Sequence, residues 1–253
     1  MDRLAFNAVA AINEQRLTRQ IAVNEMANVS TPGFKRSYEA SMKAIPADGP
    51  GFATRIQPQA VVADVIQLSP GSVMATGRAL DISMNESAVL GVTSSDGTLA
   101  FTRRGDLRVN ATGLLETGSG FAVRGEGGAP IIVPPGADIH ITGDGQVYAS
   151  LPGQGNAPSV LVERLLLRDA SQTKLERRED GLFQPLSAPN KDITDGVKPP
   201  TVTSAALEGS NVNAMQILIK LMDQSRTFEQ QVRIIKEIKG SDESGASMMK
   251  LGG

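Results

Sequence analysis

Two stretches of apolar residues at alternating steps of three and four bracket this chain, and between them the pattern changes to short runs broken by turns. Residues 3–28 place Phe6, Ala10, Leu17 and Ile21 one or two helical turns apart, with Asn13, Asn24 and Asn28 continuing the spacing. Arg3, Glu14, Arg16, Arg19 and Glu25 fall on the opposite face. That periodicity predicts an amphipathic helix. Pro32 and Gly33 then stop it, because a proline steers the residue before it out of the α region.

The other end mirrors the first. From about Asn213 to Lys239, Ala214, Ile217, Leu221, Gln224, Phe228, Gln231, Ile235 and Ile238 follow the same steps. A second apolar row of Met215, Leu218, Met222 and Val232 widens the stripe, so this helix asks for more than one neighbour. Ser210, Asn211 and Asn213 are each suitable N-caps. Between the helices, segments such as "GRALDISM", "GTLAFTRRGDLRVNATGLLET", "DIHITGDGQVYAS" and "VLVERLLLRD" read as strands. Asp96-Gly97 and Asp144-Gly145 sit where tight hairpin turns belong.

The expected fold class is therefore α+β, with paired, coiled-coil-like N- and C-terminal helices and a central, mostly antiparallel β-domain. Residues 1–36 and 205–240 form the terminal helical assembly domain in this reading. Residues 37–76 are an extended connector, 77–204 the β-domain and 241–253 a flexible tail.

Composition narrows the function more than the fold. The formal net charge is −2 with no basic block, so nucleic acid is not expected as a partner. Aromatics are only 4% and Trp is absent, which leaves little for stacking on bases or sugars. Zero cysteines remove disulfides, thiolate catalysis and Cys-based metal sites together. "MDRLAFNAVAAINEQRLTRQ" is broken by Asn7, Asn13, Glu14 and Arg16 before a signal-peptide core accumulates, and no window approaches the ~20 apolar residues of a membrane span. These signals alone read as soluble and cytoplasmic.

Candidate chemistry is sparse. The chain has no nucleophile elbow, P-loop, dinucleotide fingerprint or HExxH helix. "RGEGGAP" at 124–130 lacks the Lys of a phosphate loop and reads as a turn. His140 is the only histidine, with Asp138 and Asp144 the nearest carboxylates, so no metal, cofactor or catalytic residue is expected. A paired-carboxylate hydrolase built from acids such as Asp81, Glu86, Asp106 and Glu116 stays open, although each also reads as a turn or solvent-face residue.

"ANVSTPGFKR" (27–36) together with "ALEGSNVNAMQILIKLMDQSRTFEQQVRIIK" (206–236) resembles the paired terminal signatures of the bacterial flagellar rod and hook proteins. "GRALDISM" (77–84), the 96–117 segment and "GGAPIIVP" (127–134) look like that family's β-domain. One departure is "NESAVLGV" (85–92), which has no aromatic where relatives carry a glycine–aromatic segment. The resemblance implies a structural role without enzyme activity, in a subunit of the axial rod of the basal body and most like the proximal rod proteins. Distal rod or hook-type relatives are the alternative, and a periplasmic β-scaffold hydrolase or a coiled-coil adaptor lies in a different class. It further implies self-assembly and assembly with paralogous axial proteins. Export is expected through the flagellar type III apparatus without a cleavable signal, with residence in the rod across the periplasm and no membrane insertion. The expected assembly interface is Leu17, Ile21, Asn24, Asn28, Pro32, Gly33, Phe34, Leu207, Asn211, Asn213, Ile217, Leu221, Phe228 and Ile235. Within it Leu17, Ile21, Leu221, Phe228 and Ile235 form the apolar seam, while Asn24, Asn28, Asn211 and Asn213 fix register.

Overall fold

A computed structural model describes residues 2–36, 39–46, 56–63, 65–134, 136–150 and 159–250. A helix stands at each end of the described chain. The first, α1, spans Asp2–Ala27 and is followed by β1 (Glu39–Pro46) and β2 (Ile56–Ala63). The next strands are β3 (Val73–Ala75), β4 (Ile82–Met84), β5 (Ala88–Thr93), β6 (Leu99–Thr102), β7 (Leu107–Val109), β8 (Leu115–Thr117) and β9 (Ala122–Val123). Then come β10 (Asp138–Ile141), β11 (Gln146–Ser150), β12 (Val160–Arg164), β13 (Leu167–Asp169), β14 (Leu175–Arg177) and β15 (Phe183–Pro185). Last are β16 (Val202–Ser204), β17 (Ala206–Glu208) and the second helix, α2 (Ala214–Lys250). Every strand pairing is antiparallel. The architecture is thus α+β, with helices flanking an antiparallel β region.

The chain divides into two compact units. One, the helical unit, contains α1, the β1–β2 hairpin and α2; the other, the β unit, contains residues 28–37 and 64–212. The backbone passes between them after residues 27, 37, 63 and 212, four crossings in all. Several boundaries differ from the sequence reading, beginning with residues 28–36 and 205–212, expected in the terminal helical domain but part of the β unit. The stretch 37–76, expected to be an extended connector, contains β1 and β2 paired from Glu39↔Ala63 to Pro46↔Ile56. Helix α2 continues past Lys239, through the segment expected to be a tail, up to Lys250.

In the β unit the largest sheet runs β14-β15-β6-β5-β9-β8-β7, with β13 also paired to β5; β10-β11-β12 form a second sheet, and β3-β17 and β4-β16 form two ribbons. Strand β5 shows why the unit holds together. Successive side chains point to opposite faces, yet Ala88 to Val92 are all buried. Ala88, Leu90 and Val92 enter one core with Ile82, Leu107, Leu115, Ile141 and Val147. Val89 enters a second with Ile66, Phe101, Leu175 and Phe183. A strand covered on both faces has no polar alternation to show. The segment 85–92 therefore supplies a central strand that packs through aliphatic side chains. Both anticipated hairpin turns are present, with Gly97 and Gly145 at φ 82° and 83°.

Candidate functional site

The Pro-Gly stop after α1 opens a strap, residues 31–36, that starts with a turn closed by Phe34 N–H donating to the Thr31 carbonyl at 3.2 Å, and the sequence explains its shape. Asn28 begins the turn: Thr31 N–H donates to its carbonyl at 3.2 Å and Thr31 Oγ1 to its Oδ1 at 3.2 Å. Gly33 adopts φ 69°, which glycine occupies without cost. A Cβ there would lie 2.3 Å from the Arg103 carbonyl oxygen, so no other residue fits without moving backbone. Gly33 N–H donates to the Glu208 carbonyl at 2.8 Å, and Asn211 N–H to the Phe34 carbonyl at 3.2 Å. Asn211 Oδ1 accepts from Arg36 N–H at 2.8 Å, while its Nδ2 donates to the Gln67 carbonyl at 3.0 Å. Gln67 N–H in turn donates to the Arg36 carbonyl at 2.8 Å. Phe34 is buried beneath the Arg177 guanidinium, 4.5 Å from its ring centroid, and the same guanidinium donates to the Lys35 carbonyl.

Beneath the strap lies a buried ionic cluster. Lys35, Arg103 and Glu208 are 0%, 1% and 2% exposed. Lys35 Nζ donates to Glu208 Oε1 at 2.7 Å and to the Ser69 carbonyl at 2.8 Å. Arg103 Nε reaches Glu208 Oε2 at 2.8 Å, and Nη2 lies 2.6 Å from the same oxygen. Arg103 Nη1 donates to the carbonyls of Glu86 and Ala88, both at 2.7 Å, and Gly71 N–H completes the set on Glu208 Oε1 at 3.0 Å. One carboxylate thus serves two buried cations. Burial lowers the Lys35 pKa from the ordinary lysine value; the Glu208 hydrogen bond opposes this and the Arg103 charge adds to it. Burial likewise lowers that of Arg103 against the pull of Glu208. Such a cluster is costly to break, about 3–5 kcal/mol for removing one partner, and it presents no reactive atom to solvent.

The strap brings together expected interface residues from both ends of the chain. Gly33 meets the β17 segment carrying Leu207 at Glu208, and Phe34 meets Asn211 beyond it. Asn28 shapes the turn, Asn211 holds the strap, and Asn213 caps α2 by accepting from Met215 and Gln216 N–H at 3.0 and 3.2 Å. These three asparagines therefore lie at a turn, in a loop and at a cap. Lys35, Arg103 and Glu208 were missed because charged residues read by default as surface, although Lys35 and Glu208 stand inside the two terminal signatures.

Within the helical unit, Gln15 Nε2 donates to the Gln224 carbonyl at 2.5 Å. A small groove of about 150 Å³ there is lined by Ile12, Gln15, Arg16, Arg19, Gln224 and Phe228. Leu17, Ile21 and Leu221 are half-buried, Ile217 is buried, and Asn24, Phe228 and Ile235 are exposed. Helix α2 also exposes Met215, Leu218, Ile219, Met222 and Ile234. The side-chain amides of Gln15, Gln224 and Gln231 carry buried oxygens with no hydrogen-bond partner among the described residues.

The carboxylates weighed as catalysts are each engaged with a cation. Asp81 pairs with Arg78 at 3.4 Å, Glu86 with Lys198 at 2.7 Å, Asp106 with Arg104 at 2.6 Å and Glu116 with Arg108 at 2.6 Å. His140 is an exposed residue of β10 opposite Tyr148. Among the described residues no group of three His, Asp or Glu side chains could hold a metal ion.

Comparison with known proteins matches residues 87–149 to the flagellar hook protein FlgE/F/G D1 domain and residues 203–248 to the flagellar basal body rod FlgEFG protein C-terminal family. The chain is 35% identical to the flagellar basal-body rod protein FlgF of Escherichia coli strain K12 over 94% of both chains. It is 33% identical to FlgF of Salmonella typhimurium strain LT2, again over 94% of both. It is also 28% identical to the flagellar basal-body rod protein FlgG of Buchnera aphidicola subsp. Acyrthosiphon pisum, over 86% of this chain and 88% of the relative.

Proposed function

The chain belongs to the flagellar basal-body rod protein family, and from that premise we propose that α1 and α2 are the surfaces through which it is built into the rod. The protein is a structural subunit of the flagellar basal body that serves motility, and it is not an enzyme. Its partners are other flagellar axial proteins.

The observation that carries the assembly reading is the exposed apolar row of α2. Met215 is 69% and Met222 59% exposed, with Leu218, Ile219, Phe228 and Ile234 on the same helix. Fully burying one such side chain contributes about 1.5–3 kcal/mol, so several of them covered in each subunit make a strong joint. Coiled-coil-like pairing of the terminal helices, with Leu17, Ile21, Leu221, Phe228 and Ile235 in the seam, is part of this proposal. Subunits joined head to tail by a rotation that does not close generate a helical tube.

The proposed place is the proximal rod, supported by identities of 35% and 33% to proteins named FlgF against 28% to one named FlgG. Export through the flagellar type III apparatus and a position across the periplasm complete the reading. Among the described residues no helix is long and apolar enough to cross a membrane.

The test is Met222→Asp. An exposed charge costs the isolated chain little, so the purified protein should keep its circular dichroism spectrum and urea midpoint. Cells carrying it should not swim, and their basal bodies in electron micrographs should lack a complete rod. Normal swimming would refute α2 as an assembly surface.

A further inference from the structure

We infer that the strap, residues 31–36, closes on the β unit only when the strand carrying Glu208 is seated, so that this one carboxylate latches the two ends of the chain together. The inference stands apart from the assembly reading, because every residue it uses lies within one compact unit.

The argument is one of charge balance. Lys35 arrives on the strap, Arg103 just after β6 and Glu208 at the end of β17, separated in sequence by 173 positions for Lys35–Glu208 and 105 for Arg103–Glu208. Before β17 is in place, the other partners of Lys35 and Arg103 among the described residues are the backbone carbonyls of Ser69, Glu86 and Ala88. Two buried cations without a counter-charge are strongly unfavourable, so Lys35 stays in water and holds the strap open. Seating β17 against β3, with Leu207 opposite Met74, delivers Glu208. The carboxylate then accepts from Lys35, Arg103 and Gly71 together, and the adjoining backbone carbonyl accepts from Gly33. Asn211, three residues later, stitches Arg36 to Gln67 and Ser69. Arg177 over Phe34, another contact of the strap, brings a further cation and no negative charge. A chain whose C-terminal segment has not arrived therefore keeps the strap open, and completion of the chain closes it.

Amide hydrogen exchange of the full-length protein tests the latch, because it resolves local opening from global unfolding. Gly33 and Gln67 report the strap; Gly91 and Arg124, bonded to the Leu166 and Gly91 carbonyls, report the core. Glu208→Gln keeps the shape and removes the charge. The strap amides should then exchange at least about a hundredfold faster, as an uncompensated buried charge implies, while the core amides stay within about threefold of wild type. Unchanged strap amides, or strap and core accelerated in equal proportion, would overturn the latch. If Glu208→Gln does not fold, Glu208→Asp decides, since it keeps the charge but draws the carboxylate back from Lys35 and Arg103. Gln67 should exchange about tenfold faster, the loss expected for one charge-assisted hydrogen bond, with Gly91 unmoved. Exchange at Gln67 within about twofold of wild type in that variant would equally overturn it.

Discussion

Replacing Gly33 by alanine adds a single methyl group at the most crowded backbone position of the strap. Its Cβ would sit 2.3 Å from the Arg103 carbonyl oxygen, 2.4 Å from the carbonyl carbon and 2.6 Å from Arg104 N. Those atoms are backbone, so no rotamer change relieves the overlap. The φ of 69° costs a non-glycine residue about 1–2 kcal/mol by itself. Moving the strap far enough to clear the methyl gives up the Gly33–Glu208 hydrogen bond, worth about 1 kcal/mol net. It also withdraws Phe34 from its buried site, at about 1.5–3 kcal/mol. The expected loss is therefore about 3–6 kcal/mol, a large share of the 5–15 kcal/mol typical of a folded domain. Urea denaturation followed by circular dichroism measures it as a fall in midpoint at constant slope. The control is Gly181→Ala, where φ is 82° but nothing lies within 4 Å of the added Cβ; it should cost only the conformational part, about 1–2 kcal/mol. If the two variants lose equal stability, the crowding argument fails, and the strap is not held tightly against Arg103.

Two further outcomes follow from other parts of the chain. Burial pushes the Asp169 carboxyl up, but hydrogen bonds from Lys198 N–H, Ser171 and Val197 N–H outweigh it and hold the pKa below the ordinary carboxylate value. A depressed carboxylate stabilises fully above the unfolded pKa and loses that contribution as pH falls through the folded one. The urea midpoint should accordingly drop between about pH 5 and pH 3, and Asp169→Asn should flatten that drop; identical acid limbs would refute the assignment. At the start of α2, Asn213→Ala removes an acceptor for two helix N–H groups and should cost about 1 kcal/mol, read as a lower helix-unfolding temperature. No change would mean that those N–H groups find other partners.

The parts of this molecule that can be read from its sequence are those in which neighbouring residues carry the whole signal. The two terminal helices, the Pro32-Gly33 stop and the Asp96-Gly97 turn are local and stand where expected, but the faces of α1 do not: Glu25, read as polar-face, is buried, and Asn13 and Asn24, read on the apolar line, are exposed. The β1–β2 hairpin was hidden because Pro46 and Pro58 argue against strands, although both lie in the paired register. Gly240 and the Ser- and Gly-rich stretch after it argue for an early end to α2, yet the helix runs to Lys250. Spacing places Asn24 and Asn28 on the face of α1, and Asn211 and Asn213 read both as N-caps of α2 and as register-fixing residues, of which Asn213 is the cap. Asn211 in fact lies beyond the last strand, where its side chain can reach Arg36, Gln67 and Ser69 at once. The ionic cluster was the least legible feature, since no window of sequence contains two of its three members.

The four backbone crossings between the units have a mechanical consequence. A unit tethered through one peptide link passes any twisting force through that link alone, and a strained or nicked linker then releases it. Here the main chain crosses between the units four times, after residues 27, 37, 63 and 212. In a rod assembled from such subunits, severing any one of these connections leaves three that still join the units.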